Sequence, residues 1–196
     1  MRRIRILAGA VLFGAIAVTA AEAQTSVSVH CVPQRPDNLA ARTSPYDSVM
    51  VMVGNRHAML CYGRPSVRDR VIFGELIPYG KLWRTGANEP TILHIPFAAS
   101  IAGVNVAPGS YSIYTVPGQS EWEVVVNRSI KQWGHEGSYT DEVKAQEVGR
   151  GRVKSEAIAT PVELFTIRSE SAGANTTNLV LEWEKTRVRI PVVARN

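Results

Sequence analysis

Apolar and polar residues alternate in short runs along most of the chain between residues 46 and 193. In the run 121–127, Trp122, Val124 and Val126 share one side, and Glu123 and Val125 share the other. A period of two is that of a β-strand with one buried face. The pattern predicts eight or nine strands, from the runs 48–53, 57–62, 91–97, 100–106, 110–116, 121–127, 162–169, 178–184 and 187–193.

The residues between these runs are typical of turns. Gly54-Asn55-Arg56 separates the first two runs, and Ala107-Pro108-Gly109 separates the fourth and the fifth. Glycine and proline at such positions favour β-hairpins. A helical pattern occurs only over 66–76. We therefore predict a mainly β fold: an antiparallel, jelly-roll-like β-sandwich over residues 46–196, with one short helix in the central crossover.

The N-terminus has the parts of a secretory signal peptide. A basic start is followed by the apolar run 6–20 and by Ala21-Glu22-Ala23, a small-x-small cleavage pattern. We expect residues 1–23 to be removed and the protein to be periplasmic or otherwise exported. Retention of residues 4–21 as an inner-membrane anchor is the alternative. Residues 24–45 contain three prolines and little periodicity, which predicts a tail or linker.

The predicted compartment affects the interpretation of the two cysteines. Cys31 and Cys61 are the only cysteines, and in an oxidising compartment an even number favours a disulfide. A bridge would attach the tail to a strand; two separate thiols are the alternative.

The chain has 22 Lys and Arg against 17 Asp and Glu, and the predicted signal peptide holds three of those cations and one acid. The remaining charge, about +3, does not indicate a nucleic-acid surface.

The segment 64–91 is the one long stretch that is neither a signal nor an alternating strand. It contains five basic residues, three aromatic residues and three glycines. Irregular segments on a rigid scaffold are where binding groups tend to collect. A ligand pocket here would be lined by a set of polar and aromatic residues: Arg64, Tyr79, Trp83, Arg84, Asn88 and Glu89.

The heptad 83–89 allows a functional and a structural interpretation. In the first, Arg84 and Asn88 hold a carboxylate or a sugar, Trp83 stacks on it, and Glu89 is a ligand acceptor or a general base. In the second, which we favour, Arg84 pairs with Glu89 or with a carbonyl group and the heptad ties down a crossover between sheets. The basic residues allow a similar choice between an anion site and a solvated loop, and their list is Arg64, Arg68, Arg70, Lys81 and Arg84.

The sequence lacks a recognisable catalytic or metal-binding motif. The four histidines, at positions 30, 57, 94 and 135, have no ligand spacing, and a metal site needs three or four convergent ligands. A Gly-x-Ser-x-Gly nucleophile motif does not occur. We therefore expect no catalytic residue, no metal and no cofactor.

The segment 128–154 loses the strand pattern and gains charge and glycine. Long segments of this kind in compact domains are usually functional or mobile. Trp133 and Tyr139 are its large aromatic residues, and together they could form an exposed apolar patch. Such a patch would mark a protein partner.

Two motifs carry a resemblance to a known family. They are Arg-Pro-Ser-Val at 64–67 and Trp-Arg-Thr-Gly-Ala-Asn-Glu at 83–89, supported by the runs 108–117, 132–134 and 179–184. With them the chain resembles the bacterial domain-of-unknown-function family 2911 from about residue 44 to residue 193. The resemblance implies an exported, mainly β domain without an assigned activity.

These observations favour a non-catalytic periplasmic β-sandwich that binds a partner protein, with a role as an accessory subunit of a membrane complex. The positive loops and the long patternless segment motivate this hypothesis. The alternative is a small-molecule-binding protein or a hydrolase with a pocket around Arg84 and Glu89.

Overall fold

The computed structural model describes residues 29–195. The signal peptide predicted over residues 1–23 and the alternative anchor over 4–21 lie outside the described residues. Within the described part, no helix is long and apolar enough to cross a membrane.

Nine antiparallel strands form the domain. Their bounds are β1 Tyr46–Val53, β2 Arg56–Gly63, β3 Thr91–Ile95, β4 Ala99–Ile101, β5 Val104–Val106, β6 Gly109–Val116, β7 Glu121–Asn127, β8 Glu147–Gly173 and β9 Thr176–Ala194. One short helix, α1 Asp141–Lys144, and two 3₁₀ helices, Pro36–Ala41 and Glu136–Ser138, complete the described elements. The strands pair in the order β1-β2-β3-β6-β7-β8-β9-β4-β5, so the predicted mainly β, antiparallel fold is confirmed.

The long strand β8 joins two layers. Its first part, from Glu147 to Lys154, pairs with β7, and its second part, from Ser155, pairs with β9. β8 therefore passes from one layer to the other where its partner changes, at Lys154 and Ser155. Within the second part the register passes from Ala157 opposite Thr186 to Val162 opposite Glu184. The unmatched residues form a large bulge, which bends the strand further.

The order of strands is that of a meander with one excursion. Sequence neighbours pair throughout, except that β4 and β5 leave the layer between β3 and β6 and pair beyond β9. A jelly roll would instead combine two Greek keys. The fold is a β-sandwich, as predicted. Its strand order is not that of a jelly roll.

The two layers enclose one apolar core. Along β7, Trp122, Val124 and Val126 are almost completely buried, as their alternation predicts. The aromatic centre of the core is built around Trp83, whose ring stacks on that of Trp183 at a centroid distance of 5.8 Å. Phe73 and Phe165 pack against the same ring. The segment 64–91 is thus anchored in the core by its own tryptophan.

The short helix predicted over 66–76 does not form. Ser66 makes an isolated bridge with Leu164 of β8, and Val67 donates its amide to the carbonyl of Glu163 at 2.8 Å. Arg68 and Asp69 then adopt left-handed backbone conformations, with φ of 51° and 56°. Two such residues in succession end any right-handed helix. The segment is a series of turns because it is bonded to β8.

Two further differences concern strands. The predicted run 100–106 is two strands, β4 and β5, joined by Ala102 and Gly103 with φ of 48° and 85°. Positive φ at both central residues is the geometry of a type I′ hairpin. The runs 178–184 and 187–193 are one strand, β9, with a local irregularity at Glu184, whose φ is 52°.

The predicted excursion 128–154 ends earlier than expected, because Glu147 already begins β8. The start of this strand is not evident from the sequence, because Gly151 interrupts the apolar alternation. A Cβ atom there would overlap the carbonyl oxygen of Ala102, so the approach of the hairpin between β4 and β5 requires glycine. Close packing of backbone on backbone thus removes the apolar side chain that would have indicated a strand.

Candidate functional site

A cleft of about 310 Å³ lies beside the segment 64–91. We call it the basic cleft, because four cationic side chains line it: Arg68, Arg70, Lys81 and Arg84. Glu136 is its single carboxylate. Its apolar lining includes the stacked pair Trp83 and Trp183. The site therefore combines a strong excess of positive charge with two almost completely buried tryptophans beneath it.

The backbone of the segment holds Arg84 in a fixed position. Trp83 exchanges two hydrogen bonds with Thr115 of β6, at 2.7 and 2.9 Å, and the amide of Thr91 donates to the carbonyl of Arg84 at 3.1 Å. Trp83 also donates its indole N–H to Gly86, at 3.2 Å. The stretch is therefore joined to β6 by an isolated β-bridge, and these bonds fix the backbone of Arg84.

The guanidinium of Arg84 is only partly satisfied. Its Nη1 donates to the carbonyl of Gly134 at a long 3.4 Å, and its buried Nε has no hydrogen-bond partner within residues 29–195. Burial lowers the pKa of Arg84, and the Tyr114 and Glu136 side chains oppose that shift. A buried donor without a partner is unfavourable. An anion in the cleft would provide the missing acceptor.

The other two arginines of the cleft bond to backbone carbonyls rather than to carboxylates. Arg68 donates to the carbonyl of Thr43 at 3.3 Å. Arg70 donates to the carbonyls of Val67 and Ser66, at 2.9 and 2.7 Å. In the described part of the chain, none of the four cations is in a salt bridge. Backbone bonds orient these guanidinium groups and leave their charge unneutralised.

The structure divides the six residues predicted to line a pocket. Trp83 and Arg84 line the basic cleft, and the other four do not. Arg64 donates to Phe165, Asp47 and Thr166 at 3.0–3.1 Å, which ties β8 to β1. Each of its three guanidinium nitrogens thus donates one hydrogen bond that holds the layers together.

The remaining three residues have separate surroundings. Tyr79 is exposed, and its ring lies against Gly74. Asn88 has a φ of 66°, its carbonyl accepts from the Gly134 amide at 3.0 Å, and its side chain donates to the carbonyl of Ser44 at 3.3 Å. Asn88 therefore fixes backbone, as the structural interpretation of the heptad expects.

Glu89 pairs with a residue that the sequence analysis did not consider. The carboxylate is 1% exposed and lies 2.9 Å from the guanidinium of Arg42, itself only 4% exposed. It also accepts from the backbone amide of Gln34 at 3.3 Å. The expected pairing of Arg84 with Glu89 is thus replaced by Arg42 with Glu89, and the carboxylate lies outside the cleft.

The tail predicted over 24–45 is bound along the domain from residue 31 onward, and we call residues 31–45 the N-terminal strap. Cys31 forms a disulfide with Cys61 of β2, with Cα atoms 5.6 Å apart. The Gln34 side chain donates to the carbonyls of Ile130 and Gln132. At its other end the strap contributes Thr43 and Ser44 to the cleft. The cysteine pair is the only sequence signal that could have placed it.

Trp133 and Tyr139 do not form the shared exposed patch that the sequence analysis expected. Trp133 is half-buried beneath the strap, where the Arg35 guanidinium lies 4.1 Å from its ring centroid. Tyr139 packs its ring against Tyr114 and donates its hydroxyl to Glu147 at 2.7 Å. Burial and this bond raise the pKa of Tyr139. Both aromatic side chains are therefore packed against residues of the same chain.

The histidine and acidic side chains do not form a metal site in the described part of the chain. Within residues 29–195, no group of three or more His, Cys, Asp or Glu side chains converges as a metal site would require. His94 instead bonds through Nδ1 to the hydroxyl of Ser110 on the neighbouring strand, at 2.7 Å.

Comparison with known families shows which family the chain belongs to. Residues 44–192 match the family described as "Protein of unknown function (DUF2911)". The chain belongs to this family. The predicted family resemblance is therefore confirmed, and the match includes every lining residue of the cleft except Thr43. No curated protein and no solved structure shows significant similarity to this DUF2911 chain.

Proposed function

We propose that this DUF2911 chain is a binding protein whose basic cleft takes a small anionic compound. The observation that carries the proposal is the Arg84 guanidinium, which lines the cleft with a buried Nε that lacks a partner among the described residues. A carboxylate or a phosphate would accept from that donor, and such charge-assisted bonds are stronger than neutral ones.

The other groups of the cleft define the ligand further. Four cations against one carboxylate favour a ligand with more than one negative charge. The exposed side chain of Leu76, which lines the cleft, would contact an apolar part of it. The volume of about 310 Å³ lies at the lower end of the range for small-molecule pockets.

The alternative of a protein partner bound through 128–154 has less support. Its two anchors, Trp133 and Tyr139, are packed against Arg35 and Tyr114 of the same chain. A partner would have to displace these contacts before it could use either ring.

Export is part of the proposal. The N-terminal pattern of a basic start, an apolar run and Ala21-Glu22-Ala23 supports it, and so does a disulfide, which is typical of oxidising compartments. The mass of the intact chain isolated from the periplasm tests it. A chain that begins at Gln24 supports export, and a full-length chain found only in the cytoplasm contradicts it.

Thermal unfolding with added anions tests the binding function. Inorganic phosphate and succinate are the probes, with chloride at equal ionic strength as the reference. A ligand at about ten times its Kd stabilises by about 1.4 kcal/mol, which raises the Tm of a domain of this size by roughly 4 °C. Arg84→Met should remove this rise.

A matched variant controls for the loss of a positive charge. Arg152 is 73% exposed on β8 and pairs only with Glu121, so Arg152→Met should respond to the anions as the wild type does. The proposal is wrong if Arg84→Met and the wild type show equal shifts, or if neither anion stabilises the wild type.

A further inference from the structure

Three exposed apolar side chains lie in the loop that borders the basic cleft. Val71, Leu76 and Tyr79 are 48%, 46% and 43% exposed, and they account for three of the six exposed large hydrophobic residues in the described part of the chain. All three lie within nine residues. We call them the apolar rim.

The rim is held rigidly beside the cleft. Leu76 itself lines the cleft, and its amide donates to the carbonyl of Val71 at 3.3 Å. Ile72 and Ile77 point into the core from the same loop, with a hydrogen bond of 2.8 Å between them. The exposure of the rim is therefore a property of a fixed loop whose inward residues are buried.

Cations border the rim on both sides. Arg68 and Arg70 precede it, and Lys81 follows it; all three are exposed and line the cleft. The acids of the same loop, Asp69 and Glu75, do not line the cleft. A cationic cleft with an apolar edge is complementary to an anionic head attached to an apolar tail.

We propose that the ligand of the basic cleft is the phosphate headgroup of an anionic phospholipid, with the apolar rim inserted shallowly into the bilayer interface. This inference rests on the proposed anion-binding function. Exposed apolar residues flanked by Lys and Arg bind interfaces in this way, through buried apolar area and attraction to anionic lipids.

The size of the rim favours a membrane over a folded protein as the partner. A stable protein interface needs about 800 Å² on each side, and three side chains on one loop cover much less than that. A bilayer requires no shape complementarity beyond the loop, and the phosphate would lie above the unneutralised guanidinium groups. A soluble phosphate compound shares the headgroup chemistry, and the experiment separates the two sources.

The test uses the full chain and sedimentation with vesicles of phosphatidylcholine, with and without about 30% phosphatidylglycerol. The wild type should bind the anionic vesicles more tightly than the neutral ones. The rim variant, Val71→Ser with Tyr79→Ser, should weaken binding to anionic vesicles by about tenfold or more, because each lost apolar group reduces insertion. Neither of these residues lines the cleft. The neutral vesicles report any binding through the N-terminal apolar segment, which all variants share.

Met50→Ser with Met52→Ser is the matched control. These side chains are 53% and 47% exposed on β1 and do not line the cleft, so this variant should bind anionic vesicles as the wild type does. All substituted residues are exposed, and unchanged Tm values would show that each variant folds.

A second measurement separates this inference from the proposed function. Glycerol 1-phosphate should raise the Tm of the wild type and of the rim variant, but not of Arg84→Met. If the compound stabilises the protein while the anionic vesicles bind no better than the neutral ones, or bind the rim variant as well as the wild type, the lipid inference is overturned and anion binding stands. If phosphate and succinate both fail to stabilise the wild type, the proposed function fails and the inference fails with it.

Discussion

Charged side chains on the two sides of the segment 64–91 differ in whether they have a partner of opposite charge. On one side, Glu89 is buried against the N-terminal strap and pairs with Arg42. On the other, only five residues away, Arg84 lines the basic cleft without a carboxylate partner among residues 29–195. The first side has the arrangement of a structural contact, and the second has that of a site prepared for a ligand. We expect substitutions on the strap side to change stability and those on the cleft side to change binding.

The largest effect should follow loss of the disulfide. The bond between Cys31 and Cys61 closes a loop with a sequence separation of 30, for which the chain-entropy estimate is about 3.5 kcal/mol. Cys31→Ser with Cys61→Ser should therefore lower the Tm by roughly 7–14 °C, as measured by circular dichroism. Addition of a reductant should have a similar effect on the wild type and no further effect on the variant. An unchanged Tm would show that the strap is held by its other contacts alone.

The next largest effect should come from the buried ion pair. Glu89→Gln leaves the Arg42 guanidinium buried without its countercharge, and breaking such a pair costs about 3 kcal/mol or more. Denaturation in urea should show this loss as a lower midpoint with an unchanged slope.

A surface pair provides the comparison for this measurement. Arg152 and Glu121 are 73% and 49% exposed, and exposed pairs contribute about 0–1 kcal/mol. Glu121→Gln should therefore change the midpoint little. Equal effects of Glu89→Gln and Glu121→Gln would remove the distinction between the strap side and an ordinary surface.

The contacts on the strap side could not be predicted from the sequence, although most of the strands could. Alternation predicted most of the strands, and the turn residues predicted the hairpin between β1 and β2. Arg42 and Glu89 are 47 residues apart, and no local pattern relates them. Their contact depends on the path of the strap, which a proline-containing segment without periodicity does not reveal.

The cleft side was accessible in part. Arg84 and Trp83 were pocket residues in the functional interpretation of the heptad, which was not the favoured one. Arg68, Arg70 and Lys81 were members of an anion site that stood as the alternative to a solvated loop. Arg64 was placed in the same site, but its three hydrogen bonds tie β8 to β1 instead. Adjacent arginines with the same charge cannot be sorted by sequence into structural and free ones, because the sorting depends on which carbonyls and carboxylates the fold brings near.

Substitution of Arg84 tests the difference in stability effects between the two sides. On the cleft side the expected change in the free energy of unfolding is small and can be favourable. Arg84→Met removes a half-buried charge and an unsatisfied Nε while it keeps an apolar stem. Replacement of such a group by an apolar side chain is often neutral or stabilising, and we expect a change between zero and a gain of about 1 kcal/mol in the absence of anions. Urea denaturation in chloride buffer measures it. A loss as large as that of Glu89→Gln would mean that Arg84 is structural too.

The smallest effect we predict is a pH dependence on the strap side. His94 lies in the groove between the strap and β3, with Gln34 and Lys131 nearby, and burial lowers its pKa from the usual 6.5. The unfolded chain therefore takes up the proton more readily, so the stability that comes from burying the neutral ring is present above pH 6.5 and is lost as the pH falls toward the lower pKa of the folded state. His94→Gln can still bond to Ser110 and cannot titrate, so its unfolding free energy should fall less than that of the wild type between pH 7 and pH 5. His57→Gln, at an exposed position on β2, should follow the wild type. If the curves for wild type and His94→Gln are parallel, His94 does not carry this dependence and the strap side is insensitive to protonation at this position.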